Sequence, residues 1–222
     1  MTLPIIPSAL YGTIDLYPIV ETTALSNSVG LATEFDVPLP ASLSVGNLVL
    51  VLINVANVTG TTTITPQGGW NELYNAGTLG NIRRWVAYWR EIDGLEGGVF
   101  PIEVSLSSLI VSAAYQISNW SGIEADDSSG NFDTIANPAS FTPSWGLKHC
   151  LWIAAAGRAS SSTVSAAPTD YDNLDVSTLA LGIGVQVMTA RRELRAASEN
   201  PGAFDVAASF WRGATIAIKG YG

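Results

Sequence analysis

The sequence is short of the residues on which most catalytic and metal chemistry depends. It has one cysteine, Cys150, so an intrachain disulfide framework and a cysteine zinc cluster are both excluded. The single histidine, His149, is its immediate neighbour. Successive strand side chains point to opposite faces, so the two could not easily work as a nucleophile and base; Cys150 reads as a small buried hydrophobe. Charge is also scarce, at 13% of residues against a typical ~25%. The surface must therefore be built largely from Ser, Thr, Asn and Gly, or be covered by partners. What charge there is leans acidic, 19 Asp and Glu against 10 Lys and Arg, a net charge of -9. Such a field disfavours nucleic acid unless a basic patch overrides it. The best such patch, Arg191, Arg192 and Arg195, reads as a solvated turn or strand end with Glu193 offsetting part of its charge.

Long apolar runs are missing too. No stretch reaches the ~20 residues of a membrane span, and the N-terminus MTLPIIPSALYG lacks the basic start and continuous apolar core of a secretion signal. No membrane association is expected, and the protein is expected to be made in a cytoplasm. On that route Asn57-Val58-Thr59 and Asn119-Trp120-Ser121 are chance matches to the glycosylation pattern.

What is present reads as strands. GNLVLVLINVAN contains six consecutive apolar residues, Leu48 to Ile53, too apolar for a half-exposed strand, and predicts one buried on both faces. In IRRWVAYWREI, Ile82, Trp85, Val86 and Trp89 also fit helical spacing, but β-branched and aromatic content favours a strand. Thr33, Phe35, Val37 and Leu39 alternate with Glu34, Asp36 and Pro38, and Pro38 places that strand at an edge or end. FPIEVSL puts Phe100, Ile102, Val104 and Leu106 on one face, and a second alternating run follows from Leu109 to Ile117. Only Ser107 and Ser108 separate the two, which predicts a tight hairpin. Residues 121–145 read mostly as loop, followed by strands through Leu151–Ile153 and 183–189, where Gly182 and Gly184 are taken as strand glycines. A closing pair, AFDVAASF and RGATIAIKGYG, is predicted to join near Trp211 to Gly213. Roughly ten short strands with Gly, Pro and Ser punctuation predict an all-β fold, a single antiparallel, jelly-roll-like β-sandwich. Its expected division is an N-terminal arm and first strand over residues 1–25 and the sandwich over 26–222.

Few constellations suggest chemistry. Glu124, Asp126, Asp127, Asn131 and Asp133 supply hard oxygens, but Gly130 is misplaced for a calcium loop and no terminal glutamate follows; Asp and Asn also simply favour turns. No G-x-S-x-G, P-loop or dinucleotide fingerprint is present. No catalytic, metal or cofactor residues are predicted. Trp70, Trp120, Trp145 and Trp211 fall near strand ends or loops, where rings could stack on sugars or pack the ends of the core. The arm holds Pro4 and Pro7 among Leu3, Ile5, Ile6 and Leu10, an extended apolar segment that packs on its own domain or reaches a neighbour; these four residues are the predicted partner contacts.

The order SVGNLVLVLINV, PQGGW, RRWVAYWREI, QISNWSGIEADD, KHCLWIAAAG and FWRGATIAIKG resembles a group of β-sandwich structural proteins of tailed bacteriophage particles. In that group a G-(D/N)-L-hydrophobic strand precedes a P-x-G-W turn, and an A-x-I-A-I type segment closes the fold. The similarity runs over about residues 30 to 220. It implies a non-enzymatic virion component such as a capsid decoration or cement protein, its partners being other copies of itself, as a homotrimer, and the major capsid protein or other virion proteins. The rival expectation is a carbohydrate-binding or host-recognition module of a tail fibre or spike.

Overall fold

The computed structural model describes residues 16–57, 62–66, 68–77, 83–130 and 134–222. The predicted arm contacts Leu3, Ile5, Ile6 and Leu10 lie outside these residues. The fold is all-β and antiparallel, and among the described residues there is no helix.

Two sheets form the sandwich. Sheet 1 runs β1 (Ile19–Asn27), β7 (Val99–Ser118), β3 (Leu48–Ala56), β6 (Arg83–Glu91), β5 (Asn71–Gly77). Sheet 2 runs β11 (Asp172–Leu179), β12 (Val185–Ala196), β9 (Lys148–Arg158), β14 (Trp211–Gly220), β8 (Trp120–Gly130). Their facing sides bury Leu48, Leu50, Leu52, Val111, Tyr115, Ile153, Val187 and Ile216 in one core. Alternation sends Val49, Val51, Ile53 and Val55 to the opposite side of β3. That side is covered as well, by β2 (Ala32–Pro38), β4 (Ile64–Pro66) and the first half of β7. The uninterrupted apolar run in β3 thus has the predicted cause, burial on both faces. The strand reading of residues 83–91 also holds: Trp85 and Ala87 face one core, Val86 and Tyr88 the other.

The predicted hairpin at Ser107–Ser108 is replaced by one strand that changes sheets. Residues 99–104 of β7 pair with β2 and β4, and residues 109–117 with β1 and β3. The halves meet face to face through Phe100, Ile102 and Val104 against Ile110 and Ala114, not edge to edge. Polar side chains absorb the bend. Asn57 Nδ2 donates to Ser107 O at 2.7 Å, Ser108 Oγ donates to Leu106 O at 2.6 Å, and Ile110 N donates to Ser28 Oγ at 3.1 Å. Asn57 and Ser108 are both buried, because a buried strand bend must pair its own carbonyls and amides.

Three further expectations change. Residues 121–145 begin with β8, a full strand on β14, so only 131–145 remains for a connection. The closing segments do not form a hairpin with each other: β13 (Asp205–Val206) pairs with β10 (Val164–Ala166), while β14 lies between β9 and β8. Gly182 and Gly184 are turn glycines between β11 and β12, with φ of 57° and 71°. The described residues hold fourteen strands against the roughly ten expected, three of them two- and three-residue pieces. Pro38 does sit on an edge strand, exposed at the end of β2.

Sheet 2 has a different outer cover. Its outward side chains Cys150, Trp152, Ala154, Ala156, Met188, Ala190 and Ala217 lie beneath Ala136, Phe141, Tyr171, Phe204 and Val206 from the connections. Those connections are pinned by main-chain bonds Phe141 N to Glu199 O at 2.8 Å, Glu199 N to Phe141 O at 2.9 Å and Phe204 N to Ala136 O at 2.9 Å.

Candidate functional surfaces

One end of the sandwich is built from connections that carry no charge. Residues 28–31, 107–109, 159–163, 180–184 and 207–210 contain no Asp, Glu, Lys or Arg. At this tip Val29 is 99% exposed, Leu31 63%, Leu181 43% and Ile183 44%. Leu31, Leu181 and Ile183 rim an apolar concavity of about 320 Å3 whose floor is Ala56 and Leu109. Gly184 fixes the rim, since a Cβ there would come within 2.7 Å of the Ser160 and Ser161 backbone and its φ is in the left-handed region. Exposed apolar side chains are ordinary when scattered; here Leu31, Leu181 and Ile183 converge on one concavity whose lining carries no charged residue.

The other end carries polar groups. Where the first residues of β1 approach β9 and β12, a groove of about 810 Å3 opens along the edge of sheet 2 and draws lining from both faces of β12. Ile19, Val20 and Leu151 supply its apolar surface, and Asp170, Asp172, Asn173, Arg191, Arg192 and Glu193 its polar surface. Two of the arginines are held in place. Arg192 Nη1 lies 3.2 Å from Glu199 and 3.9 Å from Asp170. Arg191 lies over the Tyr115 ring at 5.7 Å and 3.6 Å from Asp175. Asp170 and Asn173 have φ of 65° and 53°, the left-handed region that Asp and Asn tolerate.

The predicted basic patch is therefore divided. Arg191 and Arg192 leave opposite faces of β12, and each is paired to a carboxylate. The acidic series is divided too. Glu124 accepts Ser144 N at 2.8 Å and also the Ser144 hydroxyl, and Asp127 pairs with Arg212 at 2.8 Å. Asn131 and Asp133 lie outside the described residues, among which no group of three His, Cys, Asp or Glu could hold a metal ion. Cys150 is buried under the outer cover of sheet 2 while His149 meets the Tyr17 ring at 4.6 Å. Burial pushes the Cys150 thiol up, away from the thiolate that a nucleophile needs.

The four tryptophans are engaged in packing. Trp70 lies 4.3 Å from the Phe100 ring, and Trp120 donates to Gly46 O at 3.0 Å while meeting Trp89 edge-on. Lys219 Nζ sits over Trp145 at 5.5 Å. Trp211 is 5% exposed and donates to Thr134 Oγ1 at 3.0 Å. Asn57, half of one glycosylation pattern, has its amide in the β7 bend.

Two buried polar ties cross between the sheets, and neither stood out in the sequence. Asn54 Nδ2, from β3, donates to Arg158 O at 3.0 Å and Gln186 O at 2.7 Å. Tyr115, from β7, bonds Thr189 Oγ1 and donates to Asp175 at 3.2 Å. Burial, and then the Asp175 carboxylate, push the Tyr115 phenol well above its ordinary value. It stays a neutral donor. An Asn inside an apolar strand and a Tyr inside an Ala-rich one are the only signals the sequence offers for these ties. No family model matches the chain, and neither a curated protein nor a solved structure matches it.

Proposed function

We propose that this protein is a non-enzymatic structural component of a tailed bacteriophage particle, a decoration or cement protein on the outside of the capsid. It acts by seating on neighbouring protein surfaces. The observation that carries this reading is the uncharged tip: Leu31, Leu181 and Ile183 project from short connections around an apolar concavity, and Val29 is exposed on the same connection as Leu31. An apolar surface without charge gains by removal from water at ~25 cal/mol per Å² and loses no ion hydration in the process. The doubly covered sheets add support, because they make a stiff body without disulfides that can hold such a surface in shape. The net charge of -9 keeps the body from adhering to nucleic acid. The resemblance in strand order and in the PQGGW turn names the particle, its copies and its major capsid protein as partners. The number three for the self-assembly comes from that resemblance.

The test uses the double variant Leu31→Asp, Ile183→Asp. Both side chains are exposed, so the thermal transition should stay within a few degrees of the parent. Co-sedimentation with undecorated phage capsids should be lost. Co-sedimentation at parental affinity would remove the tip from the account. Deleting residues 1–12 separately asks whether the arm contributes to association.

A further inference from the structure

The packing of Trp70, Trp120, Trp145 and Trp211 leaves no exposed row of rings for a sugar, yet the groove between β1 and β12 has the chemistry of a saccharide site. We infer that this groove binds a neutral oligosaccharide. The inference does not depend on the virion reading, since the groove and the tip lie at opposite ends of β1.

The groove is concave and large enough for several linked sugar units, about 810 Å3, within the range of ordinary ligand pockets. Its polar groups are mixed. Asp170, Asp172 and Glu193 only accept hydrogen bonds when ionised, Arg191 and Arg192 only donate, and Asn173 does both. A ligand that satisfies such a set must present donors and acceptors side by side at short intervals. Vicinal hydroxyls do this, because each both donates and accepts. Ile19, Val20 and Leu151 then offer an apolar surface for the C–H face of a pyranose ring.

Other ligand classes fit less well. Three carboxylates against two guanidinium groups give the lining a net negative charge, which opposes phosphates, nucleic acid and acidic sugars. Both guanidinium groups already face carboxylates, Arg191 at Asp175 and Arg192 at Glu199, so little cationic capacity remains for an anion. A hydrophobic peptide would bury the charged rim without pairing it. The pairing also holds the two arginines in place before a ligand arrives, which lowers the entropic cost of binding.

The test is a printed array of neutral and acidic oligosaccharides, followed by calorimetric titration with the strongest neutral hit. The variants are Asp172→Asn, which removes one charge from an exposed carboxylate, and Asn173→Gly, which keeps the positive φ while deleting the side chain. Each is expected to weaken binding by roughly tenfold or more, with an unchanged melting transition. Leu31→Asp, Ile183→Asp should bind the saccharide as the parent does. The proposal is overturned if no neutral glycan is retained, if only acidic glycans are retained, or if the Asp172→Asn, Asn173→Gly double variant binds with parental affinity.

Discussion

The outer faces of the two sheets are both buried, but by opposite means. Sheet 1 presents Val49, Val51, Ile53, Val55 and Val86, and is covered by strand residues Val37, Phe100, Ile102 and Val104. Sheet 2 presents Ala154, Ala156, Ala190 and Ala217, and is covered by rings from connecting segments, Phe141, Tyr171 and Phe204. Branched side chains interdigitate with their own kind, so a pleated strand is a suitable lid for the first face. A floor of Ala leaves about a ring's thickness of unfilled space, and irregular backbone can lower a large aromatic into it. On the inner face of the same sheet a different small residue lets the sheets come close: a Cβ on Gly157 would lie 2.6 Å from the Trp85 ring. Side-chain size on one sheet therefore selects the kind of chain that covers it.

The comparison breaks most visibly at Trp152, the largest fully buried side chain on the Ala-floored face. Trp152→Ala should cost about 3 to 5 kcal/mol in denaturant unfolding. Amide exchange should accelerate first in β10, β13 and the Phe141–Glu199 pair, leaving β2 and the first half of β7 protected. Equal acceleration on both covers would show that they open as one unit. Asn54→Ala strikes between the sheets and leaves the Arg158 and Gln186 carbonyls without that donor. A loss of roughly 1 to 3 kcal/mol is expected, with exchange raised on both covers alike. Ile53→Val, under the strand cover, should cost about 1 kcal/mol with no local opening.

The smallest effect is a pH dependence. Tyr88, beneath the strand cover, is pushed from 10.0 up to about 12 by burial first and then by Glu72. Tyr115 between the sheets and Tyr171 beneath the loop cover are raised in the same direction, chiefly by burial. In each case the folded state holds its proton after the unfolded chain has released it, so stability is full below about pH 10 and falls as pH rises toward 12. Absorbance of phenolate should show the late-titrating tyrosines ionising together with unfolding. Early ionisation of Tyr88, Tyr115 and Tyr171 in a folded chain would contradict their burial.

The all-β class was legible because continuous and alternating apolar runs have different causes. LVLVLINV could only be a strand covered twice, and β3 is one. The reversal after FPIEVSL was also legible, but Ser107 and Ser108 looked like a hairpin turn because sequence spacing does not say whether two runs pair by edge or by face. SGIEADDSSG was read as loop because its polar residues favour turns; the pairing with β14 overrides that preference. The groove could not have been foreseen, since Ile19, Leu151, Asp172 and Arg191 come together only through sheet pairing across the whole chain. The tip was hidden for a simpler reason: uncharged Gly and Ser connections look alike until they are seen to lie at one end.

The position of β14 inside sheet 2 has a consequence for how the molecule is made. Among the described strands, residues 211–220 come latest in chain order, and they must enter between β9 and β8. Until then the nascent chain carries two open strand edges and an uncovered apolar face, the features that favour aggregation. A chain shortened ahead of Trp211 should accumulate as insoluble material rather than as a smaller folded protein.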